Sequence, residues 1–207
     1  MNIADKTILA VSPHPDDAEY SCGGLLYMSN DAHNAIITSD ALRCKLHGIG
    51  EVEKPALQAG RILNCDVILM RTTNEDQPEM QSRKIITQLD IILAKIKPDI
   101  FLIPYYEDTN QEHVLVSRCC MAAVRASEHL NVLFYRGASS INFEPNVFAK
   151  LTPEAFDAKC SAVECYTTET RITKFKRNAM IHDHLDFGRH LTENAYYEFY
   201  KSYRFFL

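Results

Sequence analysis

Apolar residues along this chain fall into short blocks, and the spacing within the blocks alternates between the two periods of regular structure. Strand-like runs stand at Thr7–Val11, Ala35–Thr38, Val67–Met70, Ile100–Pro104 and Val132–Tyr135. Between them, helical patterns cover about Ala18–Ser29, Val52–Leu63, Met80–Ile96 and Glu112–Ser127. The clearest is Met80–Ile96, where Ile85, Ile86, Leu89, Ile92, Leu93 and Ile96 line one helical face. Strand and helix in alternation predict an α/β fold with a mainly parallel sheet. After Gly137 the pattern changes to a loop around Pro145, a helix from about Pro153 to Cys165 and a longer helix from about Ile172 to Leu191. The aromatic end, Asn194 to Leu207, reads as either a strand or a docked tail. Repeats, low-complexity tracts and linkers are absent, so a single domain over 1–207 is expected.

Composition narrows the partners. A net charge of −5, from 22 Lys and Arg against 27 Asp and Glu, argues against nucleic-acid binding and for a small-molecule partner. No stretch approaches the roughly 18 apolar residues of a membrane span, and Met1 to Lys6 lacks the basic start and apolar centre of a signal peptide. A cytoplasmic location is expected. The 7 cysteines are odd in number, scattered and without a Cys-x-x-Cys pair, so they read as reduced small hydrophobes.

The chemistry concentrates where the first strand ends, at Ser12-Pro13-His14-Pro15-Asp16-Asp17-Ala18-Glu19. Each proline pushes the residue before it out of the helical region, so His14 and Asp17 fall in the turn beyond the strand. Asp16 or Asp17 then stands as the N-cap of the following helix. Helix caps beside a hydrogen-bonded loop histidine would account for the acids and His14 alone. The carboxylate pair, the stiff loop and the side-chain-free Cys22-Gly23-Gly24 point beyond that, to a ligand site at the strand's carboxyl end. The fourth strand ends in Tyr105-Tyr106-Glu107-Asp108-Thr109-Asn110-Gln111-Glu112-His113, with His113 at a helix start. Strands one and four, if neighbours where strand order reverses, would bring His14, Asp17 and His113 into one crevice. Two imidazoles and a carboxylate form a zinc set with a fourth position for water.

These residues resemble the PIG-L/LmbE-like N-acetylglucosaminyl deacetylases, whose signature His-Pro-Asp-Asp-x-Glu followed by Gly-Gly matches His14 to Glu19 and Gly23-Gly24. Weaker features agree in order: Thr38 ending a strand, Glu53 opening a helix with Ala59 and Leu63, and Ile96-Lys97-Pro98-Asp99 before the fourth strand. The resemblance implies a Rossmann-like three-layer sandwich, its sheet flanked by helices. It also implies a zinc-dependent hydrolase, zinc being replaceable by another divalent metal, that removes the N-acetyl group of an amino sugar or its glycoconjugate. Carried over, the metal ligands are His14, Asp17 and His113, and Asp16 is the general base. Glu19, Arg43, His184 and Glu198 are the pocket candidates, with Glu19 orienting the loop and His182 competing with His184.

Three departures stand out. Where the family reads His-x-Asp-His this chain reads Asn110-Gln111-Glu112-His113, so Asn110 takes the place of a histidine expected to stabilise the oxyanion. A neutral amide donates a hydrogen bond but carries no charge and transfers no proton. The alternative is therefore a non-catalytic or altered-specificity metal- or sugar-binding relative. The helix acid lacks its preceding arginine, with Arg43 and Lys45 just upstream, and the late helical motif aligns poorly around His182-Asp183-His184.

Overall fold

The apolar blocks become strands because helices cover both of their faces. The computed structural model describes residues 2–38, 49–72, 78–127, 129–166 and 195–206. Strands β1 (Thr7–Ser12), β2 (Asp31–Thr38), β3 (Cys65–Thr72), β4 (Ile100–Pro104), β5 (Asn131–Tyr135), β6 (Val147–Leu151) and β7 (Tyr196–Arg204) join one sheet in the order β3-β2-β1-β4-β5-β7-β6. β1 to β5 are parallel; β7 runs antiparallel to both β5 and β6. The helices are α1 (Asp17–Met28), α2 (Ile49–Ile62), α3 (Pro78–Ile96), α4 (Gln111–Ala123) and α5 (Pro153–Glu164).

Strand residues alternate between two cores. Ile8 and Ala10 of β1 pack with Cys22 and Leu25 of α1, Ala56 and Ala59 of α2 and Ala162 of α5. Leu9 and Val11 face the other way, toward Ile85 and Leu89 of α3 and Val116 and Cys120 of α4. The result is the expected three-layer α/β sandwich. Burial on both faces explains why β1, β4 and β5 read as continuous apolar runs instead of alternating ones.

β1 lies between β2 and β4, with Ile8 opposite Ile100 and Leu9 opposite Phe101, so strand order reverses there as expected. The loops leaving β1 and β4 therefore emerge side by side. The structure differs from the sequence expectation where β2 and β3 begin earlier, at Asp31 and Cys65, where β6 forms, and where α4 stops at Ala123 before a 3-10 turn at Val124–Ala126. Of the two readings of the aromatic end, the strand holds, as β7. The expected helix from Ile172 to Leu191 lies outside the described residues. Among the described residues, six cysteines are free thiols, five of them buried, and no helix is long and apolar enough to cross a membrane.

Candidate metal centre

The loop from β1 into α1 is built around Ser12 and Asp16. The Ser12 hydroxyl donates to Asn34 Oδ1 on β2 (2.8 Å) and accepts the Ala18 N–H (3.1 Å), fastening the start of α1 to the sheet. Asp16 occupies the N-cap position with φ 103°, a left-handed conformation that costs a non-glycine residue roughly 1–3 kcal/mol. Such strain persists where the surroundings impose it, and here it lets the chain turn between His14 and Asp17. The His14 N–H in turn donates to Asp17 Oδ2 at 2.9 Å.

The second half of the centre comes from β4. Asn110 caps α4 by accepting the Glu112 N–H on its Oδ1 at 2.9 Å. Its oxygen is thereby committed, and its amide NH2 is what it has to offer a ligand. His113 sits in the first turn and is buried. His14 Nδ1 lies 3.2 Å from His113 Nε2, and Asp17 Oδ2 lies 3.3 Å from each of these nitrogens. A tetrahedral zinc with ligands at about 2.0–2.1 Å has ligand–ligand edges of about 3.3 Å. The three atoms therefore fit one face of such a tetrahedron and leave its fourth corner open.

Electrostatics agree with a cation there. Burial would push the Asp17 carboxyl up, but hydrogen bonds and charge from His113 and His14 hold it well below the usual carboxylate range. Burial would lower His14, yet hydrogen bonds and charge from Asp17 and Glu112 outweigh it and push the imidazole up to about 10. His113 is likewise raised against its burial, by Asp17 and Asp108, with His14 opposing. The buried carboxylate demands positive charge beside it. Protonated imidazoles supply that charge, and a divalent cation would supply it with the imidazoles neutral and their lone pairs free to ligate.

Each histidine also meets a carboxylate on its far nitrogen. Glu112 Oε2 makes a short contact with His14 Nε2, and Asp108 Oδ2 lies 3.3 Å from His113 Nδ1. Carboxylates placed behind ligating histidines fix the tautomer and raise ligand basicity. Neither acid was singled out from the sequence. Both stand within the run before His113, but spacing alone does not tell which acid turns toward which ring.

Two expected pocket residues lie elsewhere. Glu198 is fully buried: Oε1 accepts the Gly24 N–H (2.8 Å) and Lys159 Nζ (2.6 Å), while Oε2 accepts the Leu25 N–H (2.8 Å) and the Tyr200 hydroxyl (2.8 Å). With both oxygens engaged in the core, it clamps α1 to β7. Glu19 is also buried, accepting the Tyr166 hydroxyl at 2.7 Å and Asn34 Nδ2 at 3.3 Å, and burial pushes its carboxyl pKa up. Its contacts tie α1 to β2 and to the end of α5. Arg43, Lys45, His182 and His184 lie outside the described residues.

Comparison with known proteins places this centre. The chain is 28% identical over 167 residues to an uncharacterized deacetylase, YaiS, of Escherichia coli K12, covering 77% of this chain and 89% of that protein. The crystal structure of the conserved protein TT1542 from Thermus thermophilus superposes with a TM-score of 0.76 at 24% identity, over 98% of this chain and 97% of that one. GalB, the 4-carboxy-2-hydroxymuconate hydratase of Pseudomonas putida KT2440, gives a TM-score of 0.78 at 14% identity, over 98% of each chain. Structural likenesses at identities this low speak for the shared fold alone. Residues 9–124, more than half of the chain and including His14, Asp17 and His113, match the model of the PIG-L family, described as GlcNAc-PI de-N-acetylase. The resemblance carried by His14 to Glu19 is thus borne out, and the chain belongs to the PIG-L family of deacetylases.

Proposed function

We propose that this protein is a zinc-dependent amidohydrolase that removes the N-acetyl group from an amino sugar or its glycoconjugate, releasing acetate and a free amine. The observation that carries the reading is the triangle of His14 Nδ1, Asp17 Oδ2 and His113 Nε2, with edges of 3.2–3.3 Å and Asp16 between two of its members in the chain. The family description, a de-N-acetylase of a GlcNAc conjugate, supports the substrate class.

His14, Asp17 and His113 would hold the ion. Bound there, zinc supplies Lewis acidity, making water acidic near pH ~7 and polarising a carbonyl. The chain's own work is proton transfer and placement. A metal ligand keeps its lone pair on the ion, whereas a base gives its lone pair to a proton, so the adjacent carboxylates divide the roles. Asp16 takes a proton from the attacking water as its oxygen bonds to the acetyl carbon. It then delivers that proton to the nitrogen as the C–N bond breaks. Asn110 offers its amide N–H to the developing oxyanion, a neutral donor where the family carries an imidazole.

The test is release of acetate and free amine from a panel of N-acetylated amino sugars by zinc-restored protein. Zinc-dependent turnover supports the proposal; a preparation that takes up no divalent metal refutes it. Asn110 favours one other reading, a metal- or sugar-binding relative without this turnover, because a neutral amide in place of the family imidazole carries no charge and transfers no proton. GalB, a hydratase of closely similar fold, illustrates that the scaffold also accommodates other chemistry. Binding of an N-acetylated sugar without acetate release would select that reading.

A further inference from the structure

Asp108 was not among the expected site residues, yet its side chain is 1% exposed, against 13% for Asp17 and 38% for Glu112. Its Oδ1 accepts the Asn110 N–H at 2.8 Å and the Ser139 hydroxyl at 2.5 Å. Its Oδ2 accepts the Ser140 hydroxyl at 2.8 Å and faces His113 Nδ1 at 3.3 Å. The two serines come from the loop after β5, a third strand end converging on the centre. That loop is held by the Gly137 N–H donating to Ser140 Oγ (2.9 Å) and by the Thr109 N–H donating to the Ser139 carbonyl (3.2 Å). A Cβ at Gly137 would stand 3.1 Å from His113 Nδ1 and 3.3 Å from Asp108 Oδ2, so the backbone of this loop packs tightly against the pair.

This arrangement has a chemical consequence. An ionised carboxylate is an acceptor only, and a neutral imidazole carries one N–H and one lone pair. Facing Asp108, Nδ1 carries the proton, and the lone pair is left on Nε2, the atom that meets Asp17 and His14. We infer that Asp108, gripped by Ser139 and Ser140, is a positioning residue that turns the His113 Nε2 lone pair into the triangle and thereby sets the divalent-metal affinity of the centre. The inference rests on the metal reading above. Glu112, the matching partner of His14, is far more exposed.

The test is a double-mutant cycle on the full chain, reading zinc affinity by chelator competition and ligand geometry by the visible absorption of cobalt(II). Asp108→Asn is expected to weaken zinc binding about 10–100-fold, and Ser139→Ala/Ser140→Ala together about fivefold or more by the same logic. In a His113→Gln background Asp108→Asn is expected to change affinity by less than about twofold, since its effect passes through His113. An equal loss in both backgrounds marks a merely structural role and overturns the inference, as does an Asp108→Asn protein that binds zinc like the wild type. If Asp108→Asn does not fold, the serine pair decides, and unchanged affinity there overturns it. A wild-type chain that takes up neither metal overturns the metal reading, and the inference falls with it, a result distinct from wild-type binding that Asp108→Asn leaves intact.

Discussion

Two neighbouring carboxylates, Asp16 and Asp17, are chemically alike and positioned for different work. Asp17 Oδ2 meets two imidazoles and the His14 N–H, whereas Asp16 is set apart from it by its own left-handed backbone. Asp16→Asn keeps the shape and removes the proton acceptor. Zinc content is expected to be unchanged while the rate falls about 10²–10⁴-fold, the usual worth of a positioned base. Turnover measured beside metal content on one sample checks this, and an undiminished rate removes Asp16 from the proposal. Asn110 asks a different question. Replacing it by His takes away the cap that accepts the Glu112 N–H, so α4 is expected to lose about 1 kcal/mol in a denaturation curve. Wild-type protein is expected to turn over substrate already; activity confined to Asn110→His would select the binding-only reading.

At the scale of elements, what could be read in advance depended on where the burial comes from. β1, β4 and β5 are legible as apolar runs because helices cover both faces, and α3 is legible because its isoleucines and leucines face one core. β6 is not. Among the described residues Val147–Leu151 is an edge strand of alternating exposure paired with β7 alone, and its Ala149 and Lys150 are poor strand formers. The convergence of His14, Asp17 and His113 was legible because two strand ends carry histidines and strand order reverses between them. Asp108 was not, because its serine partners come from the loop after β5. The surroundings of Glu198 were not legible for a related reason: its partner Lys159 comes from α5 and meets the carboxylate inside the core. This clamp on α1 gives an element-scale prediction. Glu198→Gln leaves the Lys159 ammonium buried without its counter-charge, which is expected to cost about 3–5 kcal/mol. Urea unfolding of the two proteins measures it, and a loss under about 1 kcal/mol would show that the pair is not what holds α1 in place.

For the whole molecule, the centre is a bridge between loops that leave two different strands. His14 and Asp17 follow β1, and His113 follows β4, so an ion held by all three ties together segments nearly a hundred residues apart in the chain. The unfolded chain offers no such preformed triangle, and ion binding therefore adds to folding stability by mass action. With free zinc at 100 times its dissociation constant the gain is about 2.7 kcal/mol. For a chain of this length each kcal/mol moves the melting midpoint by roughly 2–4 °C. Zinc is therefore expected to raise Tm by about 5–10 °C over chelator-treated protein. His113→Ala removes one corner of the triangle and should abolish most of that difference without lowering the Tm of the metal-free form by a similar amount. Thermal denaturation of both proteins, each with zinc and with chelator, decides it. A zinc-induced shift that survives in His113→Ala would mean that the ion binds elsewhere and that the β1 and β4 loops are joined by something other than the proposed centre.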